Sequence, residues 1–192
     1  MPINTLIKLI QIISIATLFT SPCFASDFRD AEWGMSKEQV KPLEKTLPLY
    51  TKNESMTFRG KIANRPVEII FIFKDNKLTS GRYKFTTNNA NNNVYINDYD
   101  RISESLDLKY GKPEKRNVIW INELYKEKKG YHGNAIAMGH LILESYWSEG
   151  KTLILHKLSG NNSIIDHSIS YFDKNFTDQY LEKNEKNETD GL

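Results

Sequence analysis

Four histidines, His132, His140, His156 and His167, are the residues of this chain best suited to hold a transition metal. Neutral imidazole is a common ligand of such ions, and two on neighbouring strands with a third close by would begin a coordination shell. The pattern predicts a hairpin in which a loop over residues 160–163 joins a strand at 152–158 to one at 164–172. In that register Leu158 faces Ile165, Ile154 faces Ile169 and His156 faces His167, with His140 near them on the preceding strand. His140, His156 and His167 are therefore the candidate metal ligands. The same face carries Ile154, Leu158, Ile165, Ile169 and Tyr171, and no cysteine or well-placed carboxylate completes a shell. Neutral histidines tucked beneath a helix are the favoured state, so no metal or other cofactor is expected and His156→Leu should cost little.

Other chemistry finds less support. The chain has no Gly-x-Ser-x-Gly elbow, no Gly-x-x-x-x-Gly-Lys-Ser/Thr phosphate loop, no His-Glu-x-x-His helix and no Gly-x-Gly-x-x-Gly turn. Asp27 with Asp30, and Asp98 with Asp100, are the closest acidic pairs, and paired carboxylates can perform acid–base work without any local motif. Both pairs stand beside expected helix starts, where a carboxylate caps free amides and meets the positive end of the helix dipole. No catalytic residue is assigned, and no enzymatic activity is expected. Trp33, Trp120 and Trp147 read as core anchors in preference to a sugar or peptide platform.

The elements that must position these residues follow from periodicity. Ser36 with Gln39 three residues on forms a capping box for a helix over 37–45, which Pro42 must kink or end. Strands are expected at 56–62, 66–73 and 78–86, the last two joined through Asp75 and Asn76, which tolerate positive φ. Residues 88–93, nearly all Asn, are too polar to pack and read as a linker. Tyr99, Ile102, Leu106 and Tyr110 fall at helical spacing, with Gly111 and Pro113 as the stop. A strand at 116–125, an irregular or one-turn stretch at 133–140 and a closing meander follow. Lys126 to Lys129 should be a solvated hairpin end. The expected fold class is α+β, an antiparallel sheet with helices on one face, and its repeated order admits two similar halves, 26–87 and 94–175, of a single domain.

Composition bounds the setting. With 26 basic against 24 acidic residues and a net charge of +2, the chain lacks the basic patch that phosphate-backbone binding needs, so nucleic acid is excluded as a partner. Hydrophobic residues make up 39%, enough for a folded domain. The single cysteine, Cys23, supports neither an internal disulfide nor a Cys-rich zinc module. Residues 9–19 form an apolar run after Lys8, too short to span a bilayer, leading to Ser21, Pro22, Cys23, Phe24 and Ala25. That is the layout of a signal peptide cut after Ala25, and it places the mature chain in the periplasm or outside the cell with no membrane span. Lipidation of Cys23 is the alternative, against which Pro22 stands where a small residue is wanted. The tail at 176–192 is charged and expected to be flexible.

Residues 28–40, Phe-Arg-Asp-Ala-Glu-Trp-Gly-Met-Ser-Lys-Glu-Gln-Val, resemble the start of small secreted bacterial envelope proteins. Among these are the outer-membrane-assembly family called SmpA/OmlA or BamE and the similarly folded β-lactamase-inhibitor proteins. Gly34, Met35, Ser36 and Val40 carry the resemblance, whereas the expected Gly-x-Pro after the first helix is absent and Gly111 and Pro113 lie far downstream. It implies a compartment and a fold, and no functional residue carries over. The expected function is a non-enzymatic secreted or periplasmic domain binding a protein or envelope component, with an inhibitor or immunity-type protein as the alternative.

Overall fold

The computed structural model describes residues 26–178; the expected signal sequence and most of the expected tail lie outside the described residues. Helix α1 spans Lys37–Val40 and passes directly into a 3-10 turn, Lys41–Leu43. The backbone amide of Ser36 donates to Gln39 Oε1 at 2.9 Å, in the expected capping box. Pro42 has no amide hydrogen with which to continue α-helical bonding, so the predicted longer helix stops here.

Four strands follow: β1 (Tyr50–Lys52), β2 (Ser55–Ile62), β3 (Arg65–Lys74) and β4 (Lys77–Phe85). Strand β1 escaped the periodicity reading because all three of its residues are exposed and only one edge is paired. The turns after β2 and β3 each place two residues at positive φ, Ala63 with Asn64 and Asp75 with Asn76, the twist that two-residue hairpins require. Helix α2 (Asn93–Tyr110) then crosses the sheet and ends at Gly111, whose φ of 82° a side chain would resist. Strand β5 runs over Lys115–Trp120, shorter than expected, because Asn122 accepts a bond from the Leu124 amide and starts a 3-10 turn, Glu123–Tyr125. Lys126 to Lys129 are exposed as expected, but they lead from this turn into another, Lys129–Tyr131, and do not form a hairpin end. The ambiguous stretch after them contains helix α3, His132–Ala137.

The meander β6 (Leu141–Glu149), β7 (Thr152–Asn161) and β8 (Ile164–Asp173) closes an eight-stranded antiparallel sheet of order β1-β2-β3-β4-β8-β7-β6-β5. The sheet and helices together make the mixed α and β class expected, with sheet predominating. Its interior lies where alternate residues of the strands point: Met56 and Phe58, Val67 to Phe73 by twos, Trp147, Ile154, Ile169 and Tyr171. Gly81 belongs to this set because Phe28 lies across it; a Cβ there would fall 2.1 Å from the phenylalanine ring.

The expected register of the final hairpin is wrong by two residues. Asn162 and Ser163 both adopt positive φ and form a two-residue turn, so β7 and β8 run further than the four-residue loop allowed. Ile154 therefore faces Tyr171, His156 faces Ile169 and Leu158 faces His167. A shift of two preserves every side chain's face, since the strand period is two, and changes only the partner opposite.

Candidate functional site

The corrected register still brings two of the three candidate histidines together. His156 and His167 are diagonal neighbours across β7 and β8, and their Nε2 atoms lie 2.8 Å apart in the interior, at 0% and 3% exposure. His140 does not join them. It precedes β6, stacks on Tyr125 and lies about 16 Å along that strand from Ser145, the residue opposite His156. Its buried Nδ1 has no hydrogen-bond partner among the described residues. His132 is nearer solvent, edge-on to Trp120. Among the described residues, no three His, Cys, Asp or Glu side chains converge in a metal-binding group.

Helix α2 supplies the rest of the site. Tyr99 stacks on His156 with ring centres 4.1 Å apart, and Ser103 Oγ lies 3.0 Å from His156 Nδ1. Tyr99 also shares a 2.9 Å hydrogen bond with Ser145, which accepts a bond from Arg116 Nε at 3.2 Å. On the other side Phe85 covers His167, ring centres 4.4 Å apart. The helix approaches closely at its start because Gly133 of α3 has no side chain: a Cβ there would meet the backbone of Asn92 at 2.4 Å.

The electrostatics follow from this enclosure. Two proton arrangements satisfy the row Ser103–His156–His167. Either the serine hydroxyl donates to His156, which donates through Nε2 to His167, or both steps run in reverse. Each arrangement leaves both rings neutral, with one hydrogen between the facing nitrogens. Burial lowers the His167 pKa to about 4, opposed in part by Asp98 and assisted by Arg65. Burial lowers His156 well below the usual imidazole range, and the neighbouring His167 and Arg116 push the same way. Arg65 and Asp98 form an ion pair nearby, through which Arg65 holds the Asp98 carboxyl below its usual range.

A serine, an imidazole and a second imidazole in a row have the order of a nucleophile, its base and an orienting group. Ser103 is only 4% exposed, however, and the surface cavities next to α2 are lined by other residues. The hydroxyl is enclosed and lines neither of these cavities. The largest of the cavities near the start of the described chain, about 380 Å³, lies between Ser26, Lys109, Tyr110, Lys151 and Tyr171. The contacts of Asp27 and Asp98 are not those of helix caps. Asp27 accepts the Trp33 amide and pairs with Lys151, whereas Asp98 sits inside α2 facing Arg65 and not at a helix start. Trp147 is the buried anchor expected, while Trp33 and Trp120 are only partly covered.

No spacing rule makes Tyr99, Ser103 and Ser145 partners of the histidines, although the sequence holds a signal for them. Ser103 stands on the same helical stripe as Tyr99, Leu106 and Tyr110, and Ser145 alternates with Leu143 and Trp147. Each is a small polar residue at a core position, and such a residue must find a partner there. The asparagine run is likewise no unpacked linker. Asn93 accepts from the Gly133 amide and donates to the Gly130 carbonyl, Asn92 donates to Asn134, and Tyr95 bridges the Asn89 amide and the Thr87 carbonyl.

The chain matches no family model, no curated protein and no solved structure.

Proposed function

We propose that the protein is a non-enzymatic secreted or periplasmic domain, cut after Ala25, whose sheet face binds a protein or cell-envelope component. The finer architecture belongs to the same proposal: helices on one face of the sheet, and two similar halves of one domain. It is supported by the contacts of α1 and α2, since Val40, Tyr99, Ile102 and Ser103 all join the set of alternate strand residues that forms the interior. Two meanders, β1 to β4 and β5 to β8, meet last strand to last strand, each preceded by a helix. Among the described residues, no helix is long and apolar enough to cross a membrane.

One observation carries the functional reading. The other side of the sheet bears a row that the strand registers align as Tyr50, Thr57, Ile70, Arg82, Ser170, Leu155 and Tyr146. Most of these side chains are part-exposed, mixing apolar and aromatic surface with the flanking ion pairs Arg82–Asp166 and Lys157–Glu144, the composition of a recognition surface. Capture from envelope extract by immobilised protein tests it. Capture should be lost in Leu155→Asp and kept in Leu108→Asp, which alters the exposed side of α2; capture indifferent to Leu155 would overturn the proposal. The inhibitor alternative is favoured by the asparagine corner, which its own hydrogen bonds hold in shape as an inhibitory loop requires. Loss of activity of a secreted hydrolase on titration with the protein would select it.

A further inference from the structure

An asparagine followed two residues later by serine or threonine is the acceptor pattern for an N-linked glycan in exported proteins. Among the described residues it occurs at Asn53, Asn161 and Asn175. The structure separates the three. Asn53 lies in the tight turn between β1 and β2, and its carbonyl accepts from Lys37. Asn161 forms the rung of β7 nearest the turn, opposite Ile164, and the Ser163 amide ties that turn to the Ala137 carbonyl of α3. Either hairpin would have to open before an enzyme could draw the asparagine into its own site.

Asn175 is held less firmly. The sheet's last rung there pairs Asp173 with Thr152, and Asn175 follows it, exposed, in a helical turn over 174–178. The turn is held by the Asn175 backbone amide, which donates to Asp173 Oδ1 at 3.1 Å, and by Thr177 Oγ1, which donates to the Asp173 carbonyl at 3.0 Å. Neither bond uses the Asn175 side-chain amide. Opening this turn breaks no strand ladder, and such segments open at the lowest cost in a fold.

The flanking side chains also differ. Asp173 stands two residues before Asn175, where Asn53 has Thr51 and Asn161 has Ser159. A carboxylate at that distance gives a cationic enzyme surface a charge-assisted hold on one side of the acceptor, as the Thr177 hydroxyl gives a hydrogen-bonding hold on the other. The same arrangement, Glu185, Asn187 and Thr189, recurs in the sequence outside the described residues.

We propose that Asn175 carries an N-linked glycan, transferred from a polyprenyl-diphosphate carrier by an enzyme that reads Asp173 and Thr177. Asn175 Nδ2 bonds to the anomeric carbon of the first sugar. The bond from that carbon to the diphosphate oxygen breaks, its electron pair leaves with the diphosphate, and one amide proton is lost to solvent. The proposal rests on the reading of the chain as exported.

Mass spectrometry of the protein purified from the cell that makes it tests the two separately. The expected result is a chain beginning at Ser26 with an added saccharide mass, which peptide fragmentation places on Asn175. Asn175→Gln should remove that adduct. Thr177→Val should remove it and Thr177→Ser should keep it. Asp173→Ala should lower occupancy at least tenfold and Asp173→Glu should restore it. A purely structural Asp173 would do the opposite, since losing its side-chain bond frees the turn, so occupancy in Asp173→Ala at or above the parent's would overturn its part in recognition. A chain cut after Ala25 with no saccharide, or with saccharide elsewhere and none on Asn175, would overturn the proposal and leave export standing. An unmodified chain that keeps Met1 would overturn both.

Discussion

The interior packed against the sheet is filled in two ways. Over β2, β3 and β4 the interior is aromatic and dry: Phe28, Phe58 and Phe71 meet edge-on with ring centres 5.2 to 5.7 Å apart, and Val40 of α1 packs into the same cluster. Over β6, β7 and β8 the long helix α2 instead covers Ser145, His156 and His167, and contributes Tyr99 and Ser103 to them. The first arrangement depends on area and shape, which no proton changes. The second depends on every polar atom being paired while the imidazoles stay neutral, so it responds to pH. A sheet that alternates correctly thus specifies burial but not what the buried volume is made of.

The comparison can be broken most forcefully in the aromatic half. Phe71→Ala should cost about 3–5 kcal/mol from lost burial and the cavity left behind. Urea denaturation at pH 7.5 and pH 5 should return the same difference from the parent; a cost that depends on pH would mean the two halves are not distinct.

Acid should act on the polar half. The unfolded chain's imidazole takes a proton near pH 6.5, whereas His167 in place takes one only near pH 4, so between those values the unfolded state binds more protons. The contribution is complete above pH 6.5 and is lost as pH falls towards 4, about 3 kcal/mol in all, with His156 acting in the same direction. Urea midpoints should decline through this window, and His167→Gln should flatten the decline. A midpoint as steep in the variant as in the parent would assign the acid sensitivity to other groups.

Single replacements inside the row come next. The sequence alone makes His156→Leu inexpensive, but His156 bonds both Ser103 and His167. Leucine leaves those two buried atoms unpaired, at a cost of about 1–3 kcal/mol. Changing Ser103 to Ala and both histidines to Leu removes the whole row and should recover much of that loss; thermal or urea melts of the single and triple variants decide. The smallest expected effect is from metal. Zinc or nickel should leave the thermal midpoint unmoved, because the facing nitrogens already satisfy each other and His140 lies elsewhere. A rise abolished by His156→Leu would turn the polar half into a metal site.

Alternation and turn chemistry made most of the framework legible. Val67, Ile69, Phe71 and Phe73 read directly as one buried face, and Asp75–Asn76 as the turn beyond it. Gly111 correctly ended the helix begun upstream, and His156 and His167 were placed on one face even in the shifted register. These are local properties: a period of two, a period of 3.6 and a residue's tolerance for positive φ are written into consecutive residues.

What only the tertiary structure decided concerns groups far apart in the chain. The length of the last hairpin loop depended on whether Asn162 and Ser163 alone would make the turn, and extending both strands to meet them gains more paired backbone than a wider loop. Ser103 and His156 are separated by 53 residues, and no spacing rule joins them. Nor could composition reveal that the asparagines would bond to the glycines and asparagine of α3 and its preceding turn, because an amide that looks solvent-bound in the sequence is equally suited to a buried partner once packing supplies one. The chain's local chemistry determined which residues turn inward; the crossing of α2 over the meander determined which of them must share their hydrogens.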